Sequence, residues 1–239
     1  MNLNELKDLA VYSAKEAGIF LNKKKYEEKE VLKEEGRDIK LLIDKKAEQL
    51  IRSHLEKSSI QILGEEYGGE VSQGKYWVVD PIDGTANYFR GLDESCVSIA
   101  LMQGDNALIG VIFNFNNNQM YCAAKGQGAF LNGQKITVSD ISSKNKASIT
   151  TGFPASETVE SSLKFLKNLA VWKKVRMFGS ASLSCAYVAS GKCDFYAEKG
   201  VYLWDFAAGI CLVEEAGGKA KFSLIDTDRY SVEFSNGKL

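Results

Sequence analysis

Asp80 and Asp83 close the run Trp77-Val78-Val79-Asp80-Pro81-Ile82-Asp83-Gly84-Thr85, an apolar stretch that ends in two carboxylates and a turn. Tyr76 to Val79 reads as a short buried strand, with Asp80 at its carboxyl end. Proline has no N–H to give a ladder, so the chain is expected to leave the sheet at Pro81. Two carboxylates held close together are unfavourable unless a proton or a cation sits between them. Mg²⁺ suits such a place, because it takes oxygen ligands and uses one or two carboxylates together with water and a substrate phosphate. The peptide carbonyl of Ile82 is a further oxygen in reach. Gly84 lets the backbone approach a ligand, and Thr85 is expected to cap a helix from Ala86 to Phe89 whose amides face an anion. The same residues also make a well-formed turn, since Asp, Pro and Gly favour turns for local reasons.

Two further acidic ends favour the chemical reading. Gly64-Glu65-Glu66 follows the apolar Ile60, Ile62 and Leu63, and Trp204-Asp205 opens the small-residue helix Phe206-Ala207-Ala208-Gly209-Ile210. With these three motifs, in this order and at these separations, the chain resembles the inositol monophosphatase family of Mg²⁺-dependent, lithium-sensitive phosphatases. The resemblance extends from about Leu6 to the C-terminus. It implies an α+β fold, a layered αβαβα sandwich of the inositol monophosphatase and fructose-bisphosphatase type. Residues 1–133 are expected to form an α+β half with the metal motifs, and 134–239 an α/β half that contributes Asp205 and substrate contacts.

Composition is consistent with a folded enzyme. The 239 residues are 45% hydrophobic and can bury a sizeable core. Lys and Arg number 30 against 31 Asp and Glu, so bulk charge gives no reason to expect nucleic acid or an anionic membrane as principal partner. Met1 to Ala10 holds acidic residues and no apolar core of signal-peptide length, which predicts a cytoplasmic protein. Five cysteines, odd in number and without a Cys-x-x-Cys pair, predict reduced thiols. His54 is the one histidine and lies in a charged stretch from Ala47 to Lys57 that reads as a solvated helix. A nucleophilic triad or a phosphohistidine would have to use it, far from any suitable motif, so metal-activated water is the better nucleophile.

The elements that must position these residues follow from periodicity. Leu3, Leu6, Leu9, Ala10, Ser13, Ala14, Ala17 and Leu21 make a helical stripe, followed by a charged run from Lys23 to Glu35 that reads as a solvated helix end or mobile loop. A second helix is expected over Asp44 to Leu55. Strands at Ser98 to Gln103, Ala107 to Phe115 and Gln119 to Ala124 form a meander, with turns at Gly104-Asp105-Asn106 and Asn116-Asn117-Asn118. After Asn132-Gly133, strands at Ala147 to Thr151, Val175 to Phe178 and Phe195 to Ala197 alternate with helices at Thr158 to Ala170 and Ser182 to Ser190. A last helix runs from Asp205 to Ala216 and stops at Gly217-Gly218.

The resemblance also implies roles. Residues matching Glu65, Asp80 and the Ile82 carbonyl hold one Mg²⁺, and Asp80 bridges to a second held with Asp83 and Asp205, two or three ions in all. Glu65 and Thr85 position the attacking water. Asp44 orients the Thr85 hydroxyl, although an aspartate at a helix start is most often a cap. Asp83 and the amides of Gly84 and Thr85 meet the phosphate. Gly179, Ser180, Ala181 and Glu198 match positions that contact the hydroxyls of the alcohol, Glu198 being readable also as an exposed strand-end glutamate. Arg176 is either structural or reaches a second phosphate. The common Asp-Leu-Val-Thr-x-x-Asp becomes Asp38-Ile39-Lys40-Leu41-Leu42-Ile43-Asp44, which keeps both acids, loses the threonine and brings Lys40 near the site. Members commonly continue past the strand matching Tyr230 to Phe234 into a last helix, whereas this sequence ends at Leu239.

The expected activity is hydrolysis of inositol monophosphate or a related sugar phosphate, as a homodimer acting on a small phosphate ester. The alternatives are a 3'(2'),5'-bisphosphate nucleotidase, a fructose-1,6-bisphosphatase, and an interaction module that contacts the transcription machinery.

Overall fold

Asn2 starts the first helix by a reciprocal pair of bonds: its side chain accepts the Glu5 N–H at 3.0 Å, and the Glu5 carboxylate accepts the Asn2 N–H at 2.8 Å. The computed structural model describes residues 1–27, 30–35, 38–70, 74–153 and 159–239. Helix α1 spans Leu3–Lys24 and buries Leu6, Ala10, Ser13, Ala14, Ala17 and Leu21, the face its sequence period predicts. Most described side chains of the charged run beyond it are exposed, Lys23, Glu27 and Glu30 among them, as expected of a solvated segment, but the run also holds a strand and one buried lysine. Val31–Glu35 (β1) pairs antiparallel with Asp38–Leu41 (β2), and Lys25 is buried with its Nζ 2.6 Å from Asp93. A hairpin satisfies backbone polar groups as water would, and a lysine stem buries readily when its ammonium finds a carboxylate. The side chain of Lys40 lies outside the described residues.

Helix α2, Leu42–Leu55, follows directly. His54 near its end is half-buried and packs edge-on against Tyr12 at 5.0 Å, with Nε2 enclosed and unpartnered, so it is not the solvated side chain expected. It stands on α2 facing α1, and helix–helix packing encloses it.

Seven strands then form one sheet: β3 (Gln61–Gly64), β4 (Lys75–Asp83), β5 (Cys96–Gln103), β6 (Asn106–Asn114), β7 (Gln119–Ala124), β8 (Gly128–Leu131) and β9 (Gln134–Ile136). β3 is parallel to β4 and the rest is an antiparallel meander. β8 and β9 are too short to announce themselves by alternation, and the Asn132-Gly133 turn joins them. Short helix α3, Thr85–Arg90, interrupts the sheet after β4. A second sheet of five strands has the order β11-β10-β12-β14-β13, built from β10 (Ser148–Thr150), β11 (Lys174–Arg176), β12 (Phe195–Val201), β13 (Lys219–Leu224) and β14 (Tyr230–Ser235). Helices α4 (Val159–Leu169), α5 (Ala181–Ala189) and α6 (Leu203–Glu215) connect them. Residue 158, the expected start of α4, lies outside the described residues.

Alternation along β4 explains why it reads as a continuous apolar run. Trp77, Val79 and Ile82 face the core under α1 and α2, while Tyr76 and Val78 face the core shared with α5 and α6. α6 lies between the two sheets, where Phe206 meets Phe222 at 5.4 Å and Phe234 at 6.3 Å, and Gly209 has room for no Cβ beside Cys185. Full burial of such side chains contributes about 1.5–3 kcal/mol each. On β12, Tyr196 points to that core, whereas Phe195 and Ala197 share a cavity wall with Phe165 and Leu169 of α4. The layers are therefore α1/α2, the first sheet, α5/α6, the second sheet and α4, the αβαβα order expected. Among the described residues no helix is long and apolar enough to cross a membrane.

Candidate active site

β4 does not leave the sheet at Pro81. A bulge lies between Asp80, opposite Ser98, and Asp83, opposite Cys96, so the ladder resumes beyond the proline. Pro81 is tolerated because β3, the neighbour on the other side, pairs only as far as Val79. The bulge turns the Asp80 carboxylate back on the chain, where Oδ1 accepts the Ile82 N–H at 2.9 Å. Gly84, not Thr85, holds the N-cap position of α3, in a left-handed conformation with φ 85°. A Cβ there would stand 2.6 Å from the Glu94 carbonyl, so only glycine lets the two chains pass. Thr85 is the first helical residue instead, and its Oγ1 donates to the Ile82 carbonyl at 2.8 Å, with the Asp44 carboxylate 3.3 Å away. The second lone pair of that carbonyl is left for another partner.

Two elements bring three carboxylates together. Asp80 and Asp83 come from β4 and Asp205 from the first turn of α6, and an oxygen from each lies within 4.8 Å of the others. Burial first, then the negative charges of Glu65, Asp83 and Asp205, push the Asp80 carboxyl well above the carboxylate range. Asp205 is raised in the same way by burial and then by Asp83, against one stabilising bond from the Tyr202 N–H at 2.8 Å. Asp83 is raised by burial too, although Ser180 Oγ, the Ser182 N–H at 2.8 Å and the Ala181 N–H at 3.3 Å oppose the shift. Asp83 thus holds the start of α5 as well as a place in the cluster. Glu65, directly after β3, hydrogen-bonds Asp80. An acid cluster whose members raise one another fits a divalent cation, the charge that would let all of them ionise.

The outer parts of the site come from both sheets. Asp44 uses one oxygen to accept the Leu41 N–H at 2.9 Å at the start of α2, as a cap does, and turns the other towards Thr85. Burial pushes its carboxyl up to about 7. Gly179, Ser180 and Ala181 lie beside the Asp83-Gly84-Thr85 turn, tied to it by Asn87, whose Nδ2 donates to the Phe178 carbonyl at 2.7 Å and the Glu94 carbonyl at 2.8 Å. Glu198 is no exposed strand end. It sits within β12, accepts the Tyr196 hydroxyl at 3.0 Å and the Gly152 N–H, and is pushed up to about 7 by burial. Gly179, Ser180, Ala181 and Glu198 line one cavity of about 570 Å³ with the aspartate cluster, and Asp44 does not.

The model of the inositol monophosphatase family matches residues 2–221. The chain belongs to that family. It is 38% identical to a chain of Xylella fastidiosa named Nus factor SuhB, over 88% of this chain and 79% of that one. It is 37% identical to inositol monophosphatase 2 of Saccharomyces cerevisiae, over 78% and 70%. The structure of the inositol monophosphatase from Anabaena superposes with a TM-score of 0.86 at 32% identity, covering all of this chain and 93% of the other.

Members of the inositol monophosphatase family are generally metal-dependent phosphatases, which agrees with the donor set described above. Besides Asp44, a second expected residue is not in the cavity. Arg176 ends β11 at the edge of the second sheet, exposed, with Nη1 on its neighbour's carbonyl at 3.1 Å. Sequence order placed it close to Gly179, but the turn between them points it away. Two contributors were missed instead. Arg229, in the turn between β13 and β14, lines the cavity, and no motif marks it. Glu48 is fully buried on α2 and accepts the Glu66 N–H at 2.7 Å, the Tyr67 N–H at 3.3 Å and Arg52 Nε at 2.7 Å. A Cβ on Gly64 would meet its Oε1 at 2.0 Å. A signal was present: Asp44, Ala47, Glu48, Ile51 and Leu55 share the buried stripe of α2, so Glu48 is an acid on an apolar face. Glu48 therefore sets the turn that carries Glu65. In urea unfolding, Glu48→Ala is expected to cost about 3 kcal/mol, because two amides and a guanidinium lose their buried acceptor. The same variant should need more Mg²⁺ for half-maximal activity.

Proposed function

We propose that this chain is a Mg²⁺-dependent phosphomonoesterase that releases inorganic phosphate from inositol monophosphate or a related sugar phosphate. The observation that carries this reading is the convergence of Asp80, Asp83 and Asp205 within 4.8 Å on the wall of a cavity that Glu198 also lines. In this reading Glu65, Asp80, the Ile82 carbonyl, Asp83 and Asp205 hold two or three Mg²⁺. Bound divalent cations supply a nucleophile from water at neutral pH and neutralise charge on the phosphate and the leaving oxygen. The protein supplies position. Thr85 and Glu65 orient the water, with Asp44 as acceptor behind Thr85, and the Gly84 and Thr85 amides meet the phosphate oxygens. Glu198 and Gly179 to Ala181 take hydroxyls of the alcohol. The carboxylate of Glu198 is already engaged by two donors, which fixes its direction and leaves lone pairs for a substrate hydroxyl. Five free thiols among the described residues support a reducing, cytoplasmic setting, and homodimerisation is part of the proposal.

The name of the Xylella relative, Nus factor SuhB, supports a second reading, in which the chain contacts the transcription machinery. Phosphate release from inositol 1-phosphate, fructose 1,6-bisphosphate and 3'-phosphoadenosine 5'-phosphate, each with Mg²⁺ or with a chelator, tests the first. Mg²⁺-dependent turnover of inositol 1-phosphate above the other two is the expected result. No release from any compound, with no Mg²⁺ bound by calorimetry, would overturn it.

A further inference from the structure

We propose that Tyr196 and Gly152 set the preference for a polyhydroxylated alcohol, by holding the Glu198 carboxylate in the direction that a substrate hydroxyl needs. The inference rests on the phosphatase reading, in which Glu198 accepts hydroxyls of the alcohol, and adds the positioning residues behind that acceptor. Tyr196 is fully buried and stands two residues before Glu198 on β12, so both side chains leave the same face of the strand. Its ring is stacked on Phe234, with ring centres 6.0 Å apart and planes 22° from parallel, and its hydroxyl donates to Glu198 Oε2 at 3.0 Å. The second donor comes from another strand. β10 runs parallel to β12 with Thr150 opposite Tyr196, which brings Gly152, two residues further on, beside Glu198. Thr151 fixes that place, since its Oγ1 donates to the Ala197 carbonyl at 2.6 Å and its N–H to the Arg176 carbonyl at 3.0 Å. The Gly152 N–H then donates to Glu198, and a Cβ on Gly152 would overlap Oε1.

A glutamate free to turn on a cavity wall loses rotamer freedom when a ligand binds it. Two donors fixed by two strands remove that cost before the substrate arrives. Both also favour the ionised carboxylate against the effect of burial, which keeps its oxygens acceptors and leaves lone pairs for hydroxyls. Among the described residues neither donor is bonded to Asp80, Asp83 or Asp205, and both belong to the second sheet, whereas β4 of the first sheet carries Asp80 and Asp83. Discrimination of the alcohol can therefore change while the groups proposed to hold metal stay in place. The class selected is a phosphate ester of a polyol, over an ester whose alcohol offers no hydroxyl.

Phosphate release with Mg²⁺ from inositol 1-phosphate and from p-nitrophenyl phosphate, which has no free alcohol hydroxyl, gives a ratio of two kcat/KM values. Tyr196→Phe keeps the ring and its stack and removes only the donor. It is expected to lower the ratio roughly 5- to 20-fold, mainly by raising KM for inositol 1-phosphate. Gly152→Ala should lower the ratio too, by pushing the carboxylate aside, and it carries the test should the phenylalanine variant not fold. In a Glu198→Ala background Tyr196→Phe should leave the ratio unchanged, because the hydroxyl then has nothing to hold. A ratio within twofold of the wild type in Tyr196→Phe, or in Gly152→Ala where it stands in, would overturn the proposal, and an even loss on both substrates gives that result. A fall of the same size without Glu198 would overturn it as well. Wild-type protein that releases phosphate from neither compound would instead overturn the phosphatase reading.

Discussion

Asp83→Asn is expected to lower turnover on the order of a thousandfold or more and to abolish the rise in thermal midpoint that Mg²⁺ produces. The loss is large because Asp83 belongs to the group of three carboxylates within 4.8 Å, and an amide neutralises no cation charge. Replacing a carboxylate that only held metal by its amide would leave the fold unchanged. The contacts of Asp83 modify that expectation, since it accepts Ser180 Oγ and the amides of Ser182 and Ala181 and so anchors α5 to the end of β4. An asparagine keeps one acceptor and turns an NH₂ towards other donors, which costs about 1–3 kcal/mol. Relief of repulsion with Asp80 and Asp205 offsets part of this in metal-free protein. Metal-free thermal midpoints of variant and wild type should thus be close, while the difference between them widens as Mg²⁺ is added. Full activity in the variant without Mg²⁺ would sink the metal account.

The second large effect is on stability. Metal-free protein should become less stable as pH rises from about 4.5 to about 7, contrary to the usual behaviour of paired carboxylates. Asp44 and Glu198 have folded-state values near 7 against ordinary values of 3.8 and 4.5, and Asp80, Asp83 and Asp205 are raised as well. An acid whose folded value lies above its unfolded one binds more protons in the folded state. Its contribution is therefore complete below the unfolded value and lost as pH climbs through the folded one. For Glu198 this amounts to about 3 kcal/mol at most. With saturating Mg²⁺ the slope should flatten or reverse, because cations then take the place of the protons held by the cluster. Urea midpoints at pH 5, 6, 7 and 8, with chelator and with Mg²⁺, give both curves. Parallel curves would show that the buried acids are not coupled to metal.

What was legible in the sequence is what a local pattern encodes. The α1 stripe, the meander from Ser98 to Ala124, the small-residue helix α6 and the three acidic motifs are all set by neighbours within a few residues, through periodicity, turn chemistry and the intolerance of close carboxylates. Those motifs were enough to name the family and to point at one centre. Local pattern failed where a partner is distant. Thr85 resembles a cap, but the backbone beside Glu94 leaves space only for glycine at position 84, which took that place. His54 and Lys25 looked solvated because their sequence neighbours are charged, while α1 and Asp93 enclose them.

The same division applies to the site. Sequence by itself determined that Glu65 and Asp205 would be acids at the ends of elements, because the apolar runs before or after them fix where each element stops, whereas Asp80, expected at the end of its strand, lies within β4, which runs on to Asp83. Only the tertiary structure decided that Asp83 also holds α5, that Glu48 sets the Glu65 turn, that Arg176 faces outward and that Arg229 reaches the cavity from the other end of the chain. Those facts depend on how two sheets close around α5 and α6. The direction of a side chain relative to a residue 50 or 150 positions away is a property of that packing, which no window along the chain contains.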